Sequence, residues 1–115
     1  MDLYFDGAYS KEGVGAGVVL ISPRKERMLI SMKLEFDTKN NVAKYEALIM
    51  GLESSKKTGI KNIAVFGDSE LVVQQVKGIY QTKYPRMRAY INEVLDTNDN
   101  FFNTFKITTI PREIN

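Results

Sequence analysis

Apolar and small residues recur with a helical period over residues 40–52. They fall in two adjacent rows: Val42, Tyr45, Ile49 and Leu52 in one, and Ala43, Ala47, Met50 and Gly51 in the other. Because the two rows together are wider than the apolar stripe of a surface helix, the pattern predicts a helix that is largely covered. Asparagines at its start suit capping, and Gly59 fits the left-handed position after its last turn. The small residues Ala47 and Gly51 predict a close approach to a sheet.

Alternation and short apolar runs predict five strands. Residues 27–36 alternate cleanly and predict one buried face, made of Met28, Ile30, Met32, Leu34 and Phe36. Residues 1–9, 13–21, 62–66 and 103–110 supply the other four strands. Two further helices are expected, one over residues 69–77 that stops at Gly78 and one from Pro85, which suits a first helical position. The element order is therefore β-β-β-α-β-α-α-β.

Connection lengths predict how these strands pair. Short connections join the first three strands, which favours an antiparallel meander. The strand–helix–strand unit that follows predicts a right-handed crossover, which places the fourth strand parallel to the first and beside it. The dipeptide Asp6-Gly7 is also typical of a hairpin turn, so the sequence leaves a turn and a continuing strand both open there.

Lys44 has an unusual position on the predicted central helix. At about 100° per residue it points roughly 200° away from Glu46, towards the side of the small residues. The exposed side falls instead to Glu46, Glu53 and Lys57. A lysine aimed at a covered side needs a carboxylate partner, because a buried unpaired ammonium is costly. The candidate partners are Asp6 and Asp68.

Composition restricts the possible catalytic chemistry more than it restricts the possible folds. The 115 residues suit one domain, and the net charge of +2 is too small to indicate nucleic acid by itself. The chain has no cysteine and no histidine, which excludes disulfides, thiolate metal sites and histidine-based catalysis. No apolar run approaches about 18 residues and no signal peptide is recognisable, so we expect no membrane span and an intracellular location, cytoplasmic or nuclear.

Asp6 and Asp68 are the candidate catalytic and metal-binding residues. If strands 1 and 4 are parallel neighbours, both carboxylates lie where the strand order reverses, which is the usual ligand crevice of an open α/β sheet. Carboxylates without histidine suit Mg²⁺ or Mn²⁺, and a pair of such ions about 4 Å apart is typical of phosphodiester hydrolysis. The alternative for Asp68 is simpler, since an acidic residue also suits the start of a helix.

Four ordered segments resemble the ribonuclease H type 1 family: YFDGA at 4–8, NNVA-x-YEAL at 40–48, GDSELV at 67–72 and IPRE-x-N at 110–115. In detail they look like the domain carried by plant Ty3/gypsy-like retrotransposon polyproteins. The resemblance implies an α/β fold with a five-stranded mixed sheet in the order 3-2-1-4-5, strands 4 and 5 running parallel to strand 1. It also implies a monomer, once joined to a reverse transcriptase, that cleaves the RNA strand of RNA–DNA hybrids with two Mg²⁺ ions.

The resemblance carries over to only part of the family's four-carboxylate site. Asp6 and Asp68 match its first and third acidic residues, but Lys44 stands where the family has its glutamate. The fourth aspartate is expected a few residues beyond Asn115, so the chain is expected to be truncated at the C-terminus and to lack the final helix. Replacing a glutamate of charge −1 by a lysine of charge +1 about 5 Å from a divalent ion costs about 3 kcal/mol with water-like screening. At a dielectric constant near 20 the cost is about 13 kcal/mol. Weak binding of Mg²⁺ and impaired hydrolysis are therefore expected.

Contacts with nucleic acid are a separate expectation. The resemblance makes Asn40 and Asn41 candidates for the minor groove, although both also suit plain helix capping. A cluster of cations around the predicted Pro85 helix suits phosphates, and a solvated basic face is the alternative; its members are Lys77, Lys83, Arg86 and Arg88.

Three hypotheses follow. The chain is a Mg²⁺-dependent hybrid nuclease with an incomplete site, an inactive module that still binds hybrid or duplex RNA, or a remnant of a retroelement that folds poorly. The missing final helix predicts open apolar surface and low stability.

Overall fold

A five-stranded mixed sheet forms the frame of the protein in a computed structural model. The structure describes residues 1–10, 13–34 and 40–111, with side chains for all of these except 6–10, 13–16, 31–34, 40 and 41. The strands are β1 (Asp2–Ser10), β2 (Gly13–Ile21), β3 (Arg27–Leu34), β4 (Asn62–Gly67) and β5 (Thr104–Thr109). Their order is β3-β2-β1-β4-β5, as predicted.

The pairing directions also agree with the predictions. β1 pairs antiparallel with β2, and β2 pairs antiparallel with β3. β4 lies parallel to β1 on one side and to β5 on the other. The hairpin alternative for Asp6-Gly7 is wrong, because β1 stays extended through both residues and Asp6 pairs with Gly17.

Three helices complete the described part of the chain: α1 (Asn40–Lys57), α2 (Glu70–Val76) and α3 (Pro85–Phe101). Left-handed glycines follow the first two helices, with φ of +79° at Gly59 and +82° at Gly78. At the end of α1 the Ile60 N–H donates to the Ser55 carbonyl and the Gly59 N–H to the Lys56 carbonyl, the pair of bonds of a Schellman motif. None of these helices is both long enough and apolar enough to cross a membrane.

The core lies between α1 and the centre of the sheet. α1 lies over β1 and β2. Most of its predicted inner rows are buried, namely Val42, Ala43, Tyr45, Ala47, Gly51 and Leu52, whereas Ile49 and Met50 are half-buried; Leu48, outside the predicted rows, is buried as well. From the sheet, alternate residues such as Leu3, Phe5 and Val65 meet them. The alternation places the remaining residues of β4 on the opposite face, where the Phe66 ring stacks on Tyr4 with centroids 5.0 Å apart.

Two predictions about exposure are wrong. Met28 is 49% exposed although the alternation of β3 assigns it to a buried face, because β3 is an edge strand and only Ile30 of its described side chains packs on the core. The side of α1 that was expected to face solvent is exposed only at Lys57, because α3 lies against α1; Glu46 and Glu53 are half-buried. Phe36 and the side chains of Met32 and Leu34 lie outside the described residues.

Candidate active site

The ends of β1 and β4 bring two aspartates to one edge of the sheet. In the parallel register Phe5 of β1 pairs with Gly67 of β4. Asp6 and Asp68 each follow one residue later in the chain, so their backbones lie side by side at the same edge of the sheet. The side chain of Asp6 lies outside the described residues, and its role as a ligand stays a prediction.

Gly67 is the residue that allows this junction to form. The ring of Phe5 lies so close that a Cβ atom on Gly67 would overlap Cζ of the ring. Any side chain there would push the strands apart or displace a ring that is itself only 2% exposed. The glycine before Asp68 therefore has a packing reason, which the sequence alone did not show.

Asp68 does not serve as the cap of the helix that follows it. Ser69 is the N-cap of α2, and its Oγ accepts a hydrogen bond from the Val72 N–H at 3.3 Å. The capping function belongs to the serine, as is common at helix starts. The carboxylate of Asp68 is instead directed to a neighbour on α1.

That neighbour is Lys44. Its Nζ lies 3.3 Å from Oδ1 of Asp68, and the two side chains are only 9% and 6% exposed. The prediction that Lys44 faces the covered side of α1 and pairs with Asp68 is confirmed. Its predicted contact with Asp6 involves a side chain outside the described residues. The described part of the site thus holds one positive and one negative charge, with a net charge of zero.

Glu46, two residues along α1, belongs to a different surface. Its Oε1 accepts a hydrogen bond of 2.5 Å from the hydroxyl of Tyr90 on α3. Burial, and then the hydrogen bond to Glu46, raise the pKa of Tyr90, while Arg86 acts in the opposite sense. Glu46 therefore joins α1 to α3, which agrees with the helical-wheel prediction that Lys44 and Glu46 point to different sides of the helix.

The basic cluster lies on the surface between α2 and α3. Its four members are all exposed: Lys77, Lys83, Arg86 and Arg88. Bulky side chains lie among them, with Ile79 62%, Tyr80 42% and Tyr84 73% exposed. The sequence reasoning missed the two tyrosines. Their position between cations in the sequence is the signal that could have indicated a binding surface. Asn40 and Asn41 are the first two residues of α1, and their side chains lie outside the described residues.

Comparison with known proteins identifies the family to which this fold belongs. A sequence model of the family described as "Reverse transcriptase-like" matches residues 4–115. Ribonuclease HI of Halobacterium salinarum is 38% identical over 79 residues, which cover 66% of this chain and 38% of that protein. The chain belongs to the ribonuclease H type 1 family.

Solved ribonucleases H share the architecture over almost the whole chain. The crystal structure of RNase H1 from Halobacterium salinarum NRC-1 superposes with a TM-score of 0.89 at 30% identity, covering 98% of this chain and 86% of that one. LC11-RNase H1, solved in complex with an RNA/DNA hybrid, gives 0.88 at 30% identity and covers 99% and 87%. By sequence, in contrast, this ribonuclease H domain spans less than two-fifths of the curated halobacterial relative.

The described residues of this ribonuclease H domain do not fit a divalent metal ion, although the family generally uses one. Within the part of the chain whose side chains are described, no group of three or more acidic residues could hold a metal. The ammonium of Lys44 already contacts Oδ1 of Asp68, an oxygen that a metal ion would need as a ligand. An ion bound by that carboxylate would lie close to the positive charge of Lys44, which repels it.

Proposed function

We propose that this ribonuclease H domain binds RNA–DNA hybrids and that its hydrolysis of the RNA strand is impaired. The observation that carries the proposal is the contact between Lys44 and Asp68 in a fold shared with a hybrid-bound ribonuclease H. The fold supports binding of the hybrid, and the ion pair supports the loss of hydrolysis. Asp6 and Asp68 are the proposed catalytic positions, and Mg²⁺ is the ion that such a site would take in the family.

The ion pair weakens hydrolysis through charge. A two-metal site needs several carboxylates facing the same ions. Here Lys44 places a positive charge 3.3 Å from the Asp68 carboxylate, which offsets the negative charge that an ion would bind. Because both side chains are more than nine-tenths covered, water screens this repulsion less than it would at a surface.

Binding of the hybrid depends on other residues and can survive that change. The exposed cations of the basic cluster are suited to phosphate contacts, which supply much of the affinity of nucleic-acid-binding proteins. Asn40 and Asn41, at the start of α1, are proposed to lie against the minor groove. Exposed Tyr80 and Tyr84 add flat surfaces for sugar or base contacts beside the cations.

The family description supports a finer proposal about origin. A domain of the "Reverse transcriptase-like" family is suited to a polyprotein that also carries a reverse transcriptase. A catalytically inactive nucleic-acid-binding module is the second candidate function, and the same ion pair favours it. The two candidates differ only in whether any cleavage remains.

One pair of assays tests the proposal. Fluorescence anisotropy in EDTA measures binding of labelled RNA–DNA hybrid, duplex RNA and duplex DNA, and gel electrophoresis measures cleavage in Mg²⁺ and in Mn²⁺. We expect binding of the hybrid in EDTA with slow cleavage or none. Failure to bind any duplex contradicts the binding proposal. Rapid cleavage in Mg²⁺ that Asp68→Asn abolishes contradicts the proposed impairment.

A further inference from the structure

The pair formed by Lys44 and Asp68 has the environment of a structural site. Both side chains are more than nine-tenths covered, and they come from α1 and from the end of β4. The residues beside Lys44 leave its helix little freedom, because Ala43 and Ala47 are completely buried. Gly51, two turns further along the same side, lies so close to the sheet that a Cβ atom there would be 2.7 Å from Leu3 and 2.9 Å from Val18. The ammonium is therefore held at the carboxylate by the packing of the whole helix.

We infer that the ammonium of Lys44 is the permanent counter-ion of Asp68 and takes the place of a divalent metal ion, so that the folded domain is independent of Mg²⁺. The inference deepens the proposed function, on which it rests for the identity of the site. It assigns Lys44 a structural role that a glutamate at this position could not have without a metal ion.

Three physical reasons favour the ammonium over an ion. Mg²⁺ dehydrates reluctantly and requires oxygen ligands at about 2.0–2.1 Å in octahedral geometry. Insertion of Mg²⁺ would force Lys44 away from Asp68 and leave a buried ammonium without its partner. The lysine also requires no separate binding equilibrium, because folding of the chain places its ammonium beside the carboxylate.

The first test is thermal unfolding of the unmodified chain, without nucleic acid, in EDTA and in excess Mg²⁺. We expect the same melting temperature in both. A ligand present at about 100 times its Kd would raise the melting temperature by several degrees. Such a rise, absent in Asp68→Asn, overturns the inference.

Variants test the structural role of the pair. Lys44→Met removes the ammonium beside the covered Asp68 carboxylate and should lower the melting temperature by about 10 °C, whereas the double variant Lys44→Met/Asp68→Asn should lose less than the sum of the single losses. Lys57→Met, on the exposed last turn of the same helix, is the matched control. It should change the melting temperature by no more than about 2 °C. Equal effects of Lys44→Met and Lys57→Met contradict the inference.

Lys44→Glu provides the converse test. Without Mg²⁺, the Lys44→Glu variant places two carboxylates next to each other at a buried position. It should therefore destabilise the fold more than Lys44→Met does. Excess Mg²⁺ should then raise its melting temperature while leaving the unmodified chain unchanged. A variant that is insensitive to Mg²⁺ would contradict the placement of the metal position. These melts use no nucleic acid, so a protein that meets every expectation here and still binds no hybrid refutes the proposed function alone.

Discussion

Gly51 of α1 lies so close to Leu3 of β1 that a Cβ atom on the glycine would be 2.7 Å from Leu3 Cδ1. It would also be 2.9 Å from Val18 Cγ1 on the neighbouring strand. The backbone of α1 therefore lies directly on the sheet. Because Lys44 precedes Gly51 by seven residues, or about two helical turns, the same close approach brings Lys44 to the ends of the strands.

Gly51→Ala should destabilise the protein by about 1 kcal/mol. Overpacking of a tight core costs about 1–3 kcal/mol, and the better helix propensity of alanine returns up to about 1 kcal/mol. Urea unfolding measures the difference. Ser54→Ala on the same helix, at a half-buried position, is the control and should be neutral or slightly stabilising. A stabilised Gly51→Ala variant would show that α1 is not held against Leu3.

Tyr45→Phe should cost about 1–3 kcal/mol of unfolding free energy. The Tyr45 hydroxyl donates a 2.7 Å hydrogen bond to Oε1 of Gln75, and both residues are buried, so the substitution leaves the amide oxygen without this donor. Adding Gln75→Met should recover part of the loss, because it removes the orphaned acceptor. Tyr80→Phe, which removes an exposed 3.4 Å contact with Glu70, should change stability by less than about 0.5 kcal/mol. Similar losses for the two phenylalanine variants would contradict the prediction.

Stability should fall above pH 10 through Tyr45. Burial raises the pKa of Tyr45 well above its ordinary value of 10.0. Below pH 10 the phenol is protonated in both states, so it adds no pH dependence; above pH 10 the unfolded chain releases the proton while the folded protein keeps it. Tyr45 therefore contributes a loss of up to about 1.4 kcal/mol per pH unit.

Denaturant unfolding between pH 8 and 11 measures this slope. Tyr45→Phe should show a shallower decline above pH 10 than the unmodified chain. Tyr84→Phe removes a phenol that is 73% exposed and should follow the unmodified curve. Parallel curves for the unmodified chain and Tyr45→Phe would contradict the assignment.

Removal of single cations from the basic cluster should weaken hybrid binding and its salt dependence. Each lost phosphate contact lowers the slope of log K against log salt by about 0.9. Lys77→Ala and Arg86→Ala are the test variants, and Lys57→Ala, exposed at the end of α1, is the control. Because Arg86 also interacts with Tyr90, its variant should be checked by melting before the affinities are compared. Unchanged salt slopes for both variants would remove these residues from the proposed binding surface.

Local pattern was sufficient for most of the fold. The helical rows of residues 40–52, the boundaries of β2 and the left-handed Gly59 follow from short-range periodicity and backbone preference, and the structure agrees with each. The strand order followed because a right-handed crossover leaves few alternatives and the family resemblance specified the rest. Helical geometry was also enough to aim Lys44 at the covered side of α1.

The tertiary structure decided most of the polar contacts. The sequence indicated Asp68 as one of two candidate partners of Lys44, 24 residues away, but it indicated no partner for Tyr45, which pairs with Gln75 across 30 residues, or for Glu46, which pairs with Tyr90 across 44. Periodicity shows which face of a helix is covered, but it does not show which element covers it or where that element's polar atoms lie. Periodicity therefore places Glu46 in solvent, whereas α3 lies against it in the structure. Met28 was assigned to the core because alternation reports two faces of a strand and not its place at the edge of a sheet.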